Sequence, residues 1–174
     1  LSQLDKASKN GINIVGFDFG KVCNLNKEEL EQIVSKSKSL SISAFENIED
    51  VFSILRDLKL SDKKVFLNFD PITYNAFTGG YYKEQQKLWS ITADLLTNEN
   101  QNIKPVGINL HNYANAGATP TMQLAFGLAI AAEYFDFATE MNIPLKNVLP
   151  NVYFSIAVGC EYFLEISKFR AFRY

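Results

Sequence analysis

The chain has 174 residues, 47% hydrophobic and 21% charged, with a formal net charge of -2. That length suits one domain able to bury about 70% of its unfolded surface, and no cluster of Lys and Arg interleaved with aromatics points to nucleic acid. The longest apolar run, Leu124 to Ala132, is about half of the roughly 20 residues a membrane span needs, so no membrane partner is expected.

Strand-like and helix-like patterns then alternate without a break. Residues 12–19, rich in β-branched and aromatic side chains, predict a first strand. Asn26 can cap a helix running to about Lys36, with Glu29 closing a capping box. Residues 40–45 predict a second strand. Asn47 caps a second helix, whose first turn holds Glu49 and Asp50 where the helix dipole favours negative charge. Residues 65–69 predict a third strand, ended by a turn at Asp70-Pro71. A third helix follows Gly79-Gly80, from about Lys83 to Thr97. Residues 106–111 predict a fourth strand. Thr119-Pro120 places a cap and a first-turn proline at the start of a fourth helix. Leu124, Phe126, Leu128, Ile130, Phe135 and Phe137 do not share one face of it, which predicts burial on several sides. Residues 152–158 predict a fifth strand, and Glu161 to Tyr174 a fifth helix.

Five such units predict an α/β fold with a parallel sheet and right-handed crossovers. The pattern alone leaves two architectures open: a complete doubly wound sheet, or five units of an eight-unit barrel. Leu1 replaces an initiating Met, and the chain stops inside a helix-like stretch, so an excised piece of a longer protein is expected.

Parallel sheets build their sites at the C-terminal ends of the strands. The candidates there are Asp18, Glu46, Asn68, Asp70, His111, Asn112, Cys160 and Glu161. His111 is the only histidine, a poor basis for a metal site, and its bland reading is a strand-end side chain bonded to a loop. Gly79-Gly80 lacks the Gly-Lys-Ser/Thr of a phosphate loop. Cys23 and Cys160 are too few for a disulfide framework; buried thiols in a reducing compartment are expected. No signal-peptide pattern opens the chain, and the expected location is cytoplasmic.

Two stretches are more specific. Ala116-Gly117-Ala118 followed by Gln123-Leu124-Ala125-Phe126, and Ile166-Ser167-Lys168-Phe169-Arg170-Ala171, resemble the barrel domain of the methylmalonyl-CoA mutase family, the adenosylcobalamin-dependent acyl-CoA mutases. Gly16-Phe17-Asp18 is similar to that family's Ala-Phe-Asp. The similarity is weak before residue 100 and good from about 105 to 174. It implies the second architecture, a partial TIM (β/α)8 barrel of about five consecutive parallel βα units, forming one domain over 1–174. It also implies that acyl-CoA threads along the barrel axis, while a separate domain presents the cobalamin.

Against that pattern the chain departs at several positions. His111-Asn112 stands where catalytic subunits carry Tyr-His, and Asn68 where they carry Gln. No arginine occurs between Arg56 and Arg170 to grip a carboxylate by two prongs; Lys83 supplies charge but no planar fork. The Asp-x-His-x-x-Gly cobalamin signature is absent. The resemblance is therefore to the non-catalytic small subunit. It implies no catalytic, cofactor-binding or metal residues in this chain, with Asn68, His111 and Asn112 as degenerate substrate-binding positions. Adenosylcobalamin would belong to the assembled mutase, and the partner would be a homologous catalytic subunit, with self-association of this piece also expected. The competing expectations are a fragment of a divergent catalytic subunit and a flavodoxin-like binding domain.

Overall fold

The computed structural model describes Lys6 and residues 9–19, 26–79 and 85–174. Five parallel strands form one sheet in the sequential order β1-β2-β3-β4-β5. They are β1 (Ile14–Asp18), β2 (Ser39–Ser43), β3 (Lys64–Phe69), β4 (Ile103–Asn109) and β5 (Val152–Ser155). Sequential order is that of successive barrel units; a flavodoxin-like sheet has the order 2-1-3-4-5. The α/β expectation of five consecutive βα units is borne out.

Helices α1 (Lys27–Lys36), α2 (Ile48–Asp57), α3 (Pro71–Thr78) and α4 (Gln85–Leu96) connect the first four strands. Between β4 and β5 come α5 (Leu110–Asn115), α6 (Pro120–Glu140), a single turn α7 (Leu145–Val148) and a 3-10 turn, Leu149–Asn151; α8 (Tyr162–Phe172) follows β5. The caps explain several of these boundaries. Asn26 accepts from the amide of Glu28, one position short of the capping-box partner Glu29. Thr119 accepts from the amide of Met122, ahead of Pro120. Asn47 stands at the cap of α2 without a side-chain cap bond, contrary to expectation.

Three further readings are corrected. Asp70-Pro71 is no simple turn: Asp70 accepts from the amide of Thr73 and starts α3, with Pro71 in its first turn. The fourth strand ends at Asn109, so His111 lies on α5. The strand also begins earlier, running back through Pro105 to Ile103. Gly80 and Lys83 lie outside the described residues.

Strand side chains alternate between two faces. Leu40, Ile42, Val65, Leu67, Phe69, Val106 and Ile108 are buried, forming one cluster with Leu30, Val51, Phe52, Leu95, Ile130 and Tyr134 from the helices. The opposite face carries Ser39, Ser41, Ser43, Phe66 and Asn68, all partly exposed. Helix α6 is buried along one stripe only, Gln123, Gly127, Ile130, Ala131, Tyr134 and Ala138. Leu128 is 58% exposed, so burial of this helix on several sides is not found in this chain.

At the N-terminal ends of the strands, Asn151 ties the sheet to its connections. Its Nδ2 donates to the carbonyls of Leu96, Asn98 and Asn147 at 2.8–2.9 Å. Its Oδ1 accepts from Asn98. Asn151 is 1% exposed, and this saturation satisfies a buried amide as burial requires.

Candidate functional site

The C-terminal ends of the strands open into a recess of roughly 430 Å³. Asp18, Glu46, Asn68, Asp70, Asn109, His111 and Asn112 line it, with Phe45, Thr73 and Tyr74 among its walls. All three residues expected as degenerate substrate positions therefore meet at one place. Cys160 and Glu161 do not line it. Cys160 is a free, exposed thiol, against the expected burial, and Cys23 lies outside the described residues. Among the described residues no three His, Cys, Asp or Glu side chains converge as a metal site.

Asp70 is the buried anchor of the recess. Its Oδ1 accepts from the Thr73 amide and from the Tyr134 hydroxyl at 2.7 Å, and its Oδ2 from the Asn109 amide at 2.9 Å. One carboxylate thus fastens the end of β3, the start of α3, the end of β4 and the middle of α6. Burial, reinforced by the Asp70 charge and hydrogen bond, holds the Tyr134 phenol well above its ordinary pKa.

Asn68 is fully committed. Its Nδ2 donates to Ser41 Oγ and Ser43 Oγ, each at 3.0 Å, and its Oδ1 accepts from the Tyr153 hydroxyl at 2.5 Å. His111 Nδ1 lies 3.2 Å from Ser155 Oγ on β5, so its partner is a strand residue rather than a loop. Burial lowers the His111 pKa. Two buried polar atoms on the recess walls have no partner, Asn109 Oδ1 and Thr73 Oγ1. A buried acceptor left unpaired is costly.

The family stretch at α8 holds a second cluster. Lys168, 3% exposed, pairs with Glu165 Oε2 at 2.5 Å and donates to the carbonyl of Ala157 at 2.6 Å. Gln123 Oε1 lies 3.4 Å from the same ammonium, while Gln123 Nε2 donates to the Ala118 carbonyl. The Lys168 bond, assisted by the Gly159 amide and opposed by burial, draws the Glu165 pKa down. Gln123 and Lys168, from the two stretches singled out in the sequence, thus meet. Gly117, at φ 94°, turns the chain from α5 to α6 with open space where a side chain would begin. The glycine serves backbone conformation at this turn.

Sequence reasoning missed Tyr153, Tyr134, Asn109 and Thr73. The available signal for Tyr153 was a tyrosine on β5 opposite a glycine on β4, since Gly107 and Tyr153 pair in register. Nothing local marks Tyr134, whose partner Asp70 is 64 residues away in sequence.

Fold and site define an α/β protein of sequential parallel units with a polar recess at the strand ends. The family described as Methylmalonyl-CoA mutase matches residues 63–174. The chain belongs to the methylmalonyl-CoA mutase family. It is 35% identical over 69 residues to the methylmalonyl-CoA mutase small subunit of Porphyromonas gingivalis, which covers 40% of this chain and 11% of that protein. It is 29% identical over 86 residues to the 2-hydroxyisobutanoyl-CoA mutase large subunit of Aquincola tertiaricarbonis, covering 48% and 15%. With the methylmalonyl-CoA mutase large subunit of Streptomyces virginiae it shares 32% identity over 68 residues, covering 39% and 9%. The matched stretches span at most 15% of the length of these three relatives.

Proposed function

We propose that this chain is a small-subunit-like, non-catalytic part of an enzyme that interconverts methylmalonyl-CoA and succinyl-CoA. In this reading it is the structural partner of a homologous catalytic chain, and adenosylcobalamin is held elsewhere in the assembly. One observation carries the reading. Among the described residues, the recess is lined by carboxylates, amides and a histidine, with no Lys or Arg. A carboxylate-bearing acyl group would meet Asp18 and Glu46 instead of a guanidinium fork.

The residues here do not fit cobalamin. The chain's single histidine, His111, lies half-buried against Ser155 within the recess. A cytoplasmic location belongs to the same reading; no described helix is long and apolar enough to cross a membrane. Exposed apolar side chains on α6 and α8, Leu128 and Phe163 among them, support self-association of this piece when its catalytic partner is absent.

Sedimentation of the protein with a homologous catalytic subunit tests the partnership. A stoichiometric complex is expected; two species that never co-sediment would refute the reading. A divergent catalytic subunit is the second reading, favoured by the unpartnered Asn109 Oδ1 and Thr73 Oγ1 on the recess wall.

A further inference from the structure

We propose that Tyr153 bars the inner face of the sheet, so that this chain excludes an extended ligand such as the pantetheine arm of an acyl-CoA. The nature of the excluded ligand rests on the mutase reading; the bar itself rests on geometry.

The interior of a packed (β/α)8 barrel is filled by layers of bulky branched side chains. Here the face turned from the helices mixes small side chains with Phe66, Asn68 and Lys104. By the register of the strands and their period of two, Gly16, Ser41, Ser43, Gly107 and Ser155 lie on it. These short side chains project little from the sheet.

Tyr153 crosses it. Its ring lies over Gly107 so closely that a Cβ there would stand 2.5 Å from both Cζ and the hydroxyl oxygen. Glycine on β4 is therefore the condition for the ring to lie flat. The far end is tethered: the hydroxyl donates to Asn68 Oδ1 on β3 at 2.5 Å, with the Leu67 carbonyl 3.2 Å away. Asn68 carries the connection on to Ser41 and Ser43 of β2. Phe66 packs edge-on against the ring, with centroids 5.2 Å apart. The result is a continuous bar from β5 over β4 to β3 and β2, at mid-strand level. Its one polar end is already bonded, so it offers a passing ligand no hydrogen bond in return for displacement.

Calorimetry with pantetheine, and separately with coenzyme A, tests the bar on the purified wild-type protein and the variants Y153S and Y153F. Y153F keeps the ring and should bind as the wild type does, with no measurable heat. Y153S replaces the ring by a side chain like its neighbours Ser41 and Ser43 and should give a measurable pantetheine isotherm, at least roughly tenfold tighter than the weakest binding the wild-type titration could detect. Folding of each variant is checked by circular dichroism. Should Y153S fail to fold, Y153V, whose β-branched side chain suits a strand, carries the same comparison. A folded short-side-chain variant that binds no better than wild type overturns the proposal. So does wild-type binding that Y153S weakens, since Tyr153 would then be a ligand contact. Complex formation with a catalytic subunit does not depend on this opening, so the bar and the partnership fail separately.

Discussion

Asp70 and Lys168 are both buried charges and are handled in opposite ways. Asp70 is buried at the wall of the recess and satisfied by three neutral donors, the amides of Thr73 and Asn109 and the Tyr134 phenol. Lys168 is neutralised by Glu165 one turn away on the same helix. The first arrangement joins four elements of the core to one another. The second turns α8 inside out: the helix buries its ion pair, while Phe163 is 81% and Tyr162 70% exposed. What ties α8 to the rest of the fold is the reach of Lys168 to the Ala157 carbonyl and Gln123, together with Phe172 packed edge-on against Phe154 of β5. Asp70 reports on the integrity of the sheet, and Lys168 on the attachment of a single helix.

The largest effect is expected from D70A. Truncation leaves three buried donors without an acceptor, and a hydrogen bond to a charged group is worth about 1.5–3 kcal/mol. Global stability should fall by at least about 3 kcal/mol in urea titration, with the midpoint moving and the whole sheet melting together. A shift under 1 kcal/mol would remove Asp70 from its place as the joint of β3, α3, β4 and α6.

K168M should be milder and more local. It strands Glu165 without its cation, and the thermal midpoint should drop by roughly 5 °C, with α8 losing hydrogen-exchange protection first. The comparison sharpens with pH. The Glu165 carboxyl is held below its ordinary pKa when folded, chiefly by Lys168. Its stabilising contribution is therefore complete above the unfolded carboxylate pKa and is lost as pH falls through the folded value. Melts from pH 7 down to pH 3 should show this acid-sensitive component in the wild type and lack it in K168M.

N68A should cost about 1–2 kcal/mol, because the half-buried Tyr153 hydroxyl loses its acceptor. The smallest effect belongs to His111. Burial lowers its folded pKa from 6.5, so the unfolded chain takes up the proton first. Stability is then full above about pH 6.5 and declines as pH falls below it. H111N should flatten that slope in thermal melts between pH 7 and pH 5, and an unchanged slope would place the histidine in open solvent.

Much of this fold was legible because alternating apolar residues and caps are local signals. Thr119-Pro120 marked the start of α6, and the runs at 40–45 and 65–69 fell within a residue or two of β2 and β3. The mistakes occur where a distant partner decides. Asp70-Pro71 has the composition of a turn, but an acceptor facing Tyr134 and the Asn109 amide makes it a cap and a joint. Helix α6 has apolar residues all round, yet its buried stripe is set by which neighbours this chain supplies. The recess was anticipated in outline, since strand ends collect Asn68, His111 and Asn112. Its unpaired acceptor and the bar made by Tyr153 were not, because both depend on cross-strand register that a single sequence does not display.

Turnover tests the central claim most directly. The purified protein is supplied with methylmalonyl-CoA and adenosylcobalamin, without a partner subunit, and succinyl-CoA is followed by mass spectrometry. No product above the protein-free control is expected, with activity appearing only when a catalytic subunit is added. Succinyl-CoA formed by this chain alone would contradict it and make the recess an active site.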